Sequence, residues 1–535
     1  MVTTLIVIAA VLLAVVVYDL TQRRHAILRN FPVIGHFRYW FESVGPELRQ
    51  YIVTNNDEER PFSRDQRRWV YTASKQLDTY FGFGSDNEME SVENYLIIRP
   101  SAFPLGPLGP APGQAVTHGQ AHGGQTHGGP AHAAGADGRA HPLACAKELG
   151  GFRGRRRAFR PASLVNVSAM SFGSLSGRAI EALNRGCAAA GALHNTGEGG
   201  VSSHHRHGAD LVWQIGTGYF GCREADGRFS LERLVDTVQA EPRIRALEIK
   251  LSQGAKPGVG GILPGAKVIP EIAAARGVPV GSDCISPPRH AEFDDASGLL
   301  DFIERLADAS GLPVGLKSAV GQTAFWDDLA RLSATTGRAP DFITIDGGEG
   351  GTGAGPLVFG DHVALPFKRA FAEVRRRFAE QDMHQRIVFI GSAKLGFPES
   401  ALFAFGLGAD MVHVAREAML AIGCIQAQRC HSGHCPTGVA THNRWLVRGL
   451  DPGLKAERLA HYIDTLRKEL LRLSHACGVE HPGLITGEHF EILDGRFGSA
   501  SVEQLFGLRP EWALPSEADR EAVVALMRGE VSAAV

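Results

Sequence analysis

Cysteine is scarce in this chain: there are eight in 535 residues, and none precedes Cys145. A disulfide-stapled secreted scaffold is therefore excluded. Charge of one sign is not in excess either, because the formal net charge is −2. Nothing draws the chain toward a polyanion, so no nucleic-acid partner is expected. No ferredoxin-like C-x2-C-x2-C run is present, and no G-x-G-x-x-G follows the first predicted strand. The second absence argues against a doubly wound dinucleotide-binding sheet. No Lys or Arg stands ahead of the first apolar run, so a secretory signal peptide lacks its basic leader. What is present is ordinary for a globular enzyme, with 44% hydrophobic and 21% charged residues. The length allows one large barrel, of about 250 residues or more, plus additional segments.

The few cysteines are not scattered. Cys424, Cys430 and Cys435 fall within twelve residues, at C-x5-C-x4-C spacing, and Pro436 follows the last. Thiolates are soft ligands, and close spacing lets one loop wrap a small iron–sulfur cluster. Three ligands fit a three-iron cluster or an open site. Three buried or free thiols are the alternative, since cysteine also behaves as a small hydrophobe. A thiolate cluster favours a reducing compartment.

Five stretches follow along the chain. Residues 1–25 read as a transmembrane anchor. Thr4 to Tyr18 is almost wholly apolar and, with its edges, just reaches the length of about 20 residues that spanning requires. Arg23, Arg24 and Arg29 follow it, so the positive-inside rule puts the rest of a single-pass chain in the cytoplasm. A signal peptide and a buried N-terminal helix are the rival readings. Residues 26–105 read as a partly helical region with an aromatic cluster at Phe37, Tyr39, Trp40 and Phe41, and with a loop from Asn55 to Pro61. Residues 106–142 are a low-complexity His/Gly-rich insertion carrying His118, His122, His127, His132 and His141. Its imidazoles suit metal ions, but no element pins them, and a flexible insertion is the plainer reading. Residues 143–450 alternate short apolar runs with helical patterns, the signature of parallel βα units. Strands are predicted at 164–168, 211–215, 246–251, 314–317, 342–345, 387–390 and 411–414. Helices are predicted at 178–190, 297–309, 326–334 and 399–405. Most strands run into Gly, Ser, Asp or Lys, where a (β/α)8 TIM barrel places its active-site loops. Residues 451–535 read as a short helical C-terminal extension, with a helix over 454–473, Asp451 as its N-cap and Pro452 at its first position.

Ordered motifs run from about Ser163 to about Leu446. They are Ser168-Ala-Met-Ser-Phe-Gly-Ser-Leu-Ser176, His194-Asn-Thr-Gly-Glu-Gly-Gly200, Glu248-Ile-Lys-Leu-Ser-Gln-Gly-Ala-Lys-Pro-Gly258, Leu263-Pro-Gly265, Ile285-Ser-Pro-Pro288, Asp346-Gly-Gly-Glu-Gly-Gly-Thr-Gly-Ala354 and the cysteine loop. Together they resemble the FMN-binding synthase domain of glutamate synthases. The resemblance implies FMN in the barrel and a [3Fe-4S] cluster on Cys424, Cys430 and Cys435. Barrels seat phosphate on their last two βα loops, here Gly391-Ser392-Ala-Lys394 and Ala415-Arg416, with Asp346, Gly347 and Gly348 on the same rim. Met170 and Ser171 would face the flavin ring, and Thr196 and Gln214 its polar edge. Lys250 would lie at the flavin, because a lysine in an apolar strand needs an anion or an electron-rich ligand; an ion pair with Glu248 or Asp346 is the plain alternative.

By the same resemblance the substrates are 2-oxoglutarate and ammonia, which form 2-iminoglutarate, reduced to glutamate by flavin hydride. Lys256, Gln253 and Ser286 would bind the oxo acid, and Glu198 would accept or relay a proton as the imine forms. The chain lacks the glutaminase nucleophile of full glutamate synthases ahead of this domain. It would therefore use free ammonia, an ammonia-supplying subunit or another amine. Electrons would come from a separate carrier such as ferredoxin, through the cluster. Two other readings remain: the same cofactors acting on another amine or amino acid, and a non-catalytic, membrane-tethered metal-binding scaffold.

Overall fold

A computed structural model describes residues 2–22, 25–79, 82–106, 143–276 and 278–530. Nearly all of the His/Gly-rich insertion, with its five histidines, lies outside the described residues, as do Arg23 and Arg24. The chain divides into two units, residues 1–68 and 69–535.

The first unit opens with the helix Val2–Thr21, long and apolar enough to cross a membrane and left almost wholly exposed. Short helices Ala26–Asn30 and Gly35–Leu48 follow it. The aromatics at 37, 40 and 41 are exposed rather than buried. Asn55 and its neighbours form the expected loop, its side chain accepting the Asp57 and Glu58 N–H groups at 3.1 and 2.9 Å.

The second unit is built on eight parallel strands closed into a barrel. In chain order they are β1 Val165–Val167, β2 His194–Asn195, β3 Leu211–Ile215, β4 Ile244–Lys250, β5 Val314–Ser318, β6 Phe342–Asp346, β7 Val388–Ser392 and β8 Met411–Val414. Each pairs with its successor, and β8 closes on β1 in the register Val412↔Val165. The (β/α)8 expectation is met. Seven strands stand where the sequence predicts them; β2 does not appear among the predicted ones because two residues carry no readable alternation.

Helices begin and end on chemistry written in the chain. Ser176 and Asp295 cap the helices Gly177–Ala190 and Ala296–Ser310, and left-handed Gly191 and Gly311 end them. Asp451 caps Pro452–Ala476, accepting the Leu454 N–H at 2.8 Å with Pro452 in the first turn, as expected. That helix packs against Gly177–Ala190 and Pro398–Gly406. It therefore takes the eighth outer position of the barrel, and a boundary at 450 falls too early. The strand Tyr95–Ile98 pairs antiparallel with Phe490–Leu493. The segments before and after the barrel thus share one sheet, and the C-terminal extension is not purely helical.

The barrel interior is not filled by hydrocarbon alone. Glu248 on β4, fully buried, accepts hydrogen bonds from Asn195 (2.7 Å), Gln214 (2.8 Å) and Thr344 (2.8 Å). One carboxylate thus ties β2, β3, β4 and β6 together beneath the strand ends.

Candidate active site at the barrel mouth

Two lysines end adjacent strands in register, Lys250 on β4 beside Lys317 on β5. Both are buried, and a buried ammonium needs a counter-charge. Lys250 Nζ meets Glu198 Oε1 at 2.8 Å and donates to Gln253 Oε1 at 2.8 Å. Lys317 Nζ lies 3.4 Å from Asp346 Oδ2 and 3.4 Å from Ser168 Oγ. The alternative of an ion pair for Lys250 is therefore correct in kind but not in partner. Glu248 is committed to amides and a hydroxyl, and Asp346 to the neighbouring lysine. Sequence reasoning missed Lys317. The available signal was the same one that singled out Lys250, a lysine ending an apolar strand.

Glu198, Lys250, Gln253 and Lys256 line one cavity, with Thr217 and Gly260. Four residues from two motifs thus meet where the sequence expects a substrate. Gly216 and Gly261 are required there, since a Cβ on either would stand 2.7 Å from the Glu198 side chain. Lys256 is buried, yet its ammonium bonds to no described residue. Burial and the neighbouring Lys250 bring its pKa down to about 8, despite Glu198. Burial alone would raise the Glu198 pKa, but Lys250, Lys256 and Arg276 hold the carboxyl below its usual range. Arg276, also missed from sequence, is buried, donates to Ser171 Oγ and to the Phe172 carbonyl at 3.3 Å, and lies over the Phe220 ring. Its Nε has no partner. It follows no recognisable strand, so only the fold brings it here. Ser286 sits on the same wall, its N–H bonded to the Gly261 carbonyl at 2.9 Å, but it does not line the cavity.

Next to the cavity are the loops expected to face a flavin. The Met170–Ser171 loop lies against the β2 loop so closely that a Cβ on Gly197 would stand 2.6 Å from the Ser171 nitrogen. Thr196 and Gln214 reach the mouth, but their polar atoms are largely committed. The Thr196 hydroxyl donates to the Gly197 carbonyl and accepts the Gln214 N–H, and the Gln214 amide nitrogen donates to Glu248.

The phosphate rim narrows as well. Gly347 and Gly348 donate their N–H groups to the Ser392 and Leu365 carbonyls at 2.9 and 2.8 Å. Gly391 and Ser392 lie within the ladder, paired with β6 and β8. A Cβ on Gly391 would meet Leu395 and Phe367 at 2.7 and 2.9 Å. Each of these glycines is crowded by its neighbours, so a side chain at any of them would clash. Ala393 and Lys394 do take left-handed φ values of 144° and 51°, a backbone strain that marks functional turns. Ala415 and Arg416 start a short helix facing them, and Arg416 donates to the Glu349 carbonyl.

The cysteine loop lies between β8 and the helix Pro452–Ala476. Cys424 and Cys430 are partly exposed and Cys435 is buried. Among the described residues no three His, Cys, Asp or Glu side chains converge on a single metal position. Burial raises the Cys430 thiol. Burial opposes ionisation of Cys435 too, but the Thr437 hydroxyl and the N–H groups of Ala440, Thr437 and Val439 lower its pKa. Lys267, buried, interacts with the Cys430 and Cys435 thiols and donates to the Ser174 carbonyl at 3.1 Å. The adjacent Gly173 carbonyl lies 2.9 Å from His442 Nε2. The loop after β1 is thus bonded directly to the cysteine segment.

A sequence profile described as a conserved region in glutamate synthase matches residues 154–480. The chain is 38% identical over 478 residues to the glutamate synthase large subunit-like protein YerD of Bacillus subtilis, covering 88% of this chain and 90% of that one. It is 36% identical over 318 residues to an archaeal glutamate synthase (NADPH) of Methanocaldococcus jannaschii, covering 59% of each. Among solved structures, a mutant flavocytochrome b2 with benzoylformate aligns at 12% identity and a TM-score of 0.42, covering 84% of this chain and 91% of that chain. With the matched region spanning every barrel strand and the cysteine loop, and with a relative alike over nearly its whole length, the chain belongs to the glutamate synthase family.

Proposed function

We propose that the chain is a glutamate synthase-type oxidoreductase, which joins ammonia to 2-oxoglutarate and reduces the resulting 2-iminoglutarate to glutamate. The observation that carries this is the charge around the cavity. Lys250, Lys256 and Arg276 face a single carboxylate, Glu198. Two cations in excess match a dicarboxylate, and charge-assisted hydrogen bonds to carboxylates are among the strongest available.

The donor set fits FMN. Lys317 offers a buried cation at the mouth, the left-handed turn Ala393–Lys394 and Arg416 offer backbone and charge on the last two loops, and Met170–Ser171 offers a wall. When bound there, FMN supplies the hydride that reduces the imine carbon. We assign the cation near the N1/C2 edge to Lys317 rather than Lys250. The donor set of Cys424, Cys430 and Cys435, with Lys267 as counter-cation, fits a [3Fe-4S] cluster by ligand chemistry; electrons from a separate carrier such as ferredoxin would enter there.

The remaining steps belong to side chains. Lys256 and Arg276 bind the two carboxylates. Lys250, paired with Glu198 at 2.8 Å, polarises the 2-oxo group as ammonia attacks. Glu198 starts unprotonated, so it accepts a proton from the incoming ammonium; water leaves with the carbonyl oxygen. Ammonia comes from solution or from an ammonia-supplying partner subunit. The helix Val2–Thr21 anchors the chain as a single-pass membrane protein with the barrel on the cytoplasmic side.

An anaerobic spectrum of detergent-purified protein tests this, with flavin, iron and sulfide quantified. FMN that is reoxidised only when 2-oxoglutarate and ammonium are both present supports it. FMN that ignores this pair but responds to another amine moves the substrate, not the cofactor. No flavin after anaerobic preparation rejects the reading.

A further inference from the structure

The first unit carries a second apolar surface beyond its spanning helix. In Gly35–Leu48 and the residue before it, Ile34, Phe37, Phe41 and Leu48 fall at i, i+3, i+7 and i+14. At about 100° per residue these positions share one stripe, and Trp40 flanks it. Ile34, Phe37, Trp40 and Phe41 are all between 55% and 71% exposed. The Trp40 and Phe41 rings pack edge to face at 4.9 Å, so the surface is continuous. Arg38 and Glu42 form an i,i+4 ion pair at 2.9 Å along one flank of the stripe. A soluble protein rarely leaves such an aromatic stripe open to water.

We propose that the helix Gly35–Leu48 lies flat in the headgroup layer of the same bilayer that Val2–Thr21 crosses, with Phe37, Trp40 and Phe41 among the upper acyl chains. This rests on the anchor reading. Asp19, two residues from the end of the apolar helix, is fully buried. Its carboxylate accepts the Val33 N–H at 2.9 Å and meets His36 Nε2 at 2.9 Å. The end of the first helix is thus tied to the start of the third, which fixes the aromatic helix where a spanning helix leaves the hydrocarbon. Tryptophan and other amphipathic aromatics favour that depth. This helix has no basic excess, since Arg38 stands against both Glu42 and Glu47. Binding should therefore come from apolar burial and need no anionic lipid. A lipid surface is favoured over a protein partner because the stripe continues the apolar surface of the first helix.

The test uses the full chain in phosphatidylcholine vesicles, followed by flotation. Vesicles brominated near the headgroup end of the acyl chains, or near the methyl end, then quench tryptophan emission. The difference between wild type and Trp40→Phe isolates Trp40. The expected result is flotation without anionic lipid, with the Trp40 difference emission quenched strongly by shallow bromines and weakly by deep ones. A chain that floats while this difference emission is unchanged by either lipid overturns the interfacial helix and leaves the anchor standing. A chain that does not float overturns the anchor, and this proposal with it.

Discussion

Both ends of the barrel bury ions, but they treat them in opposite ways. At the N-terminal ends of the strands, aspartates stand just before β3, β6 and β8. Asp341 accepts the Val314 N–H at 2.8 Å and pairs with Arg155 at 3.0 Å. Asp410 accepts the Phe389 N–H at 2.8 Å and pairs with Lys147 at 3.0 Å. Lys147 spends its other protons on the His384 and Ile387 carbonyls, and Arg375 donates to the carbonyls of His384 and Trp512. These partners fill the space between strands and close on themselves. At the C-terminal ends, among the described residues, Lys256 makes no hydrogen bond or ion pair through its ammonium and Arg276 keeps an unpaired Nε. One end uses charge to lock strands together; the other holds charge in reserve for a ligand. This matches the general division of barrels into a stability face and a catalytic face.

Breaking the closed end should have the largest effect. Asp410→Ala leaves Lys147 buried and uncompensated, and should cost about 3–5 kcal/mol of stability. Denaturant unfolding measures it, and an unchanged midpoint would end the contrast. At the open end, Lys250→Met should lower kcat by about 10²–10³-fold, the range for a lost charge-stabilising donor, without comparable unfolding. Steady-state kinetics beside thermal melting checks this, and equal losses in both would make Lys250 a structural residue. Lys256→Met should raise KM for 2-oxoglutarate by about 10–100-fold, as expected for one lost charge-assisted bond, with less change in kcat. Its melting temperature should hold or rise, because an unpartnered buried ammonium is removed. The smallest effect is on pH. With a folded pKa of about 8, Lys256 keeps its proton below that pH and loses it above. Affinity for the dicarboxylate should therefore weaken as pH rises through about 8, and Lys256→Arg should abolish the inflection. The sign for stability is opposite. Below pH 8 the lysine is charged in both folded and unfolded chains, and folding bears the full desolvation cost. As pH rises from about 8 toward the ordinary lysine value of 10.5, that cost is relieved and the ligand-free chain becomes more stable.

The same contrast separates what was legible in the sequence from what was not. Lys250, Gln253, Lys256 and Glu198 were found because each sits in a short motif beside a strand end, and the fold does bring them to one cavity. Gly347, Gly348 and Gly391 looked like a phosphate cradle because glycine marks close approach. In the structure Phe367, Ala364 and the Ser392 carbonyl come close to them. A glycine in a sequence records that something comes near without recording what. Arg276 and Lys317 went unnoticed for different reasons: one ends the short helix Pro270–Arg276, away from any strand end, and the other was taken for part of its strand.

By itself the sequence determined the alternation of strands and helices, the capping residues Ser176, Asp295 and Asp451, the apolar first helix and the clustered cysteines. Each depends on neighbours a few residues away, and periodicity and local hydrogen bonding act at that range. Only the tertiary structure decided which carboxylate answers which lysine. It paired Glu198 with Lys250 and Asp346 with Lys317, kept Glu248 inside the barrel and brought Arg276 close enough to act on the Glu198 carboxyl. Those choices depend on distances between residues far apart in the chain, and counter-charge is selected by proximity in space.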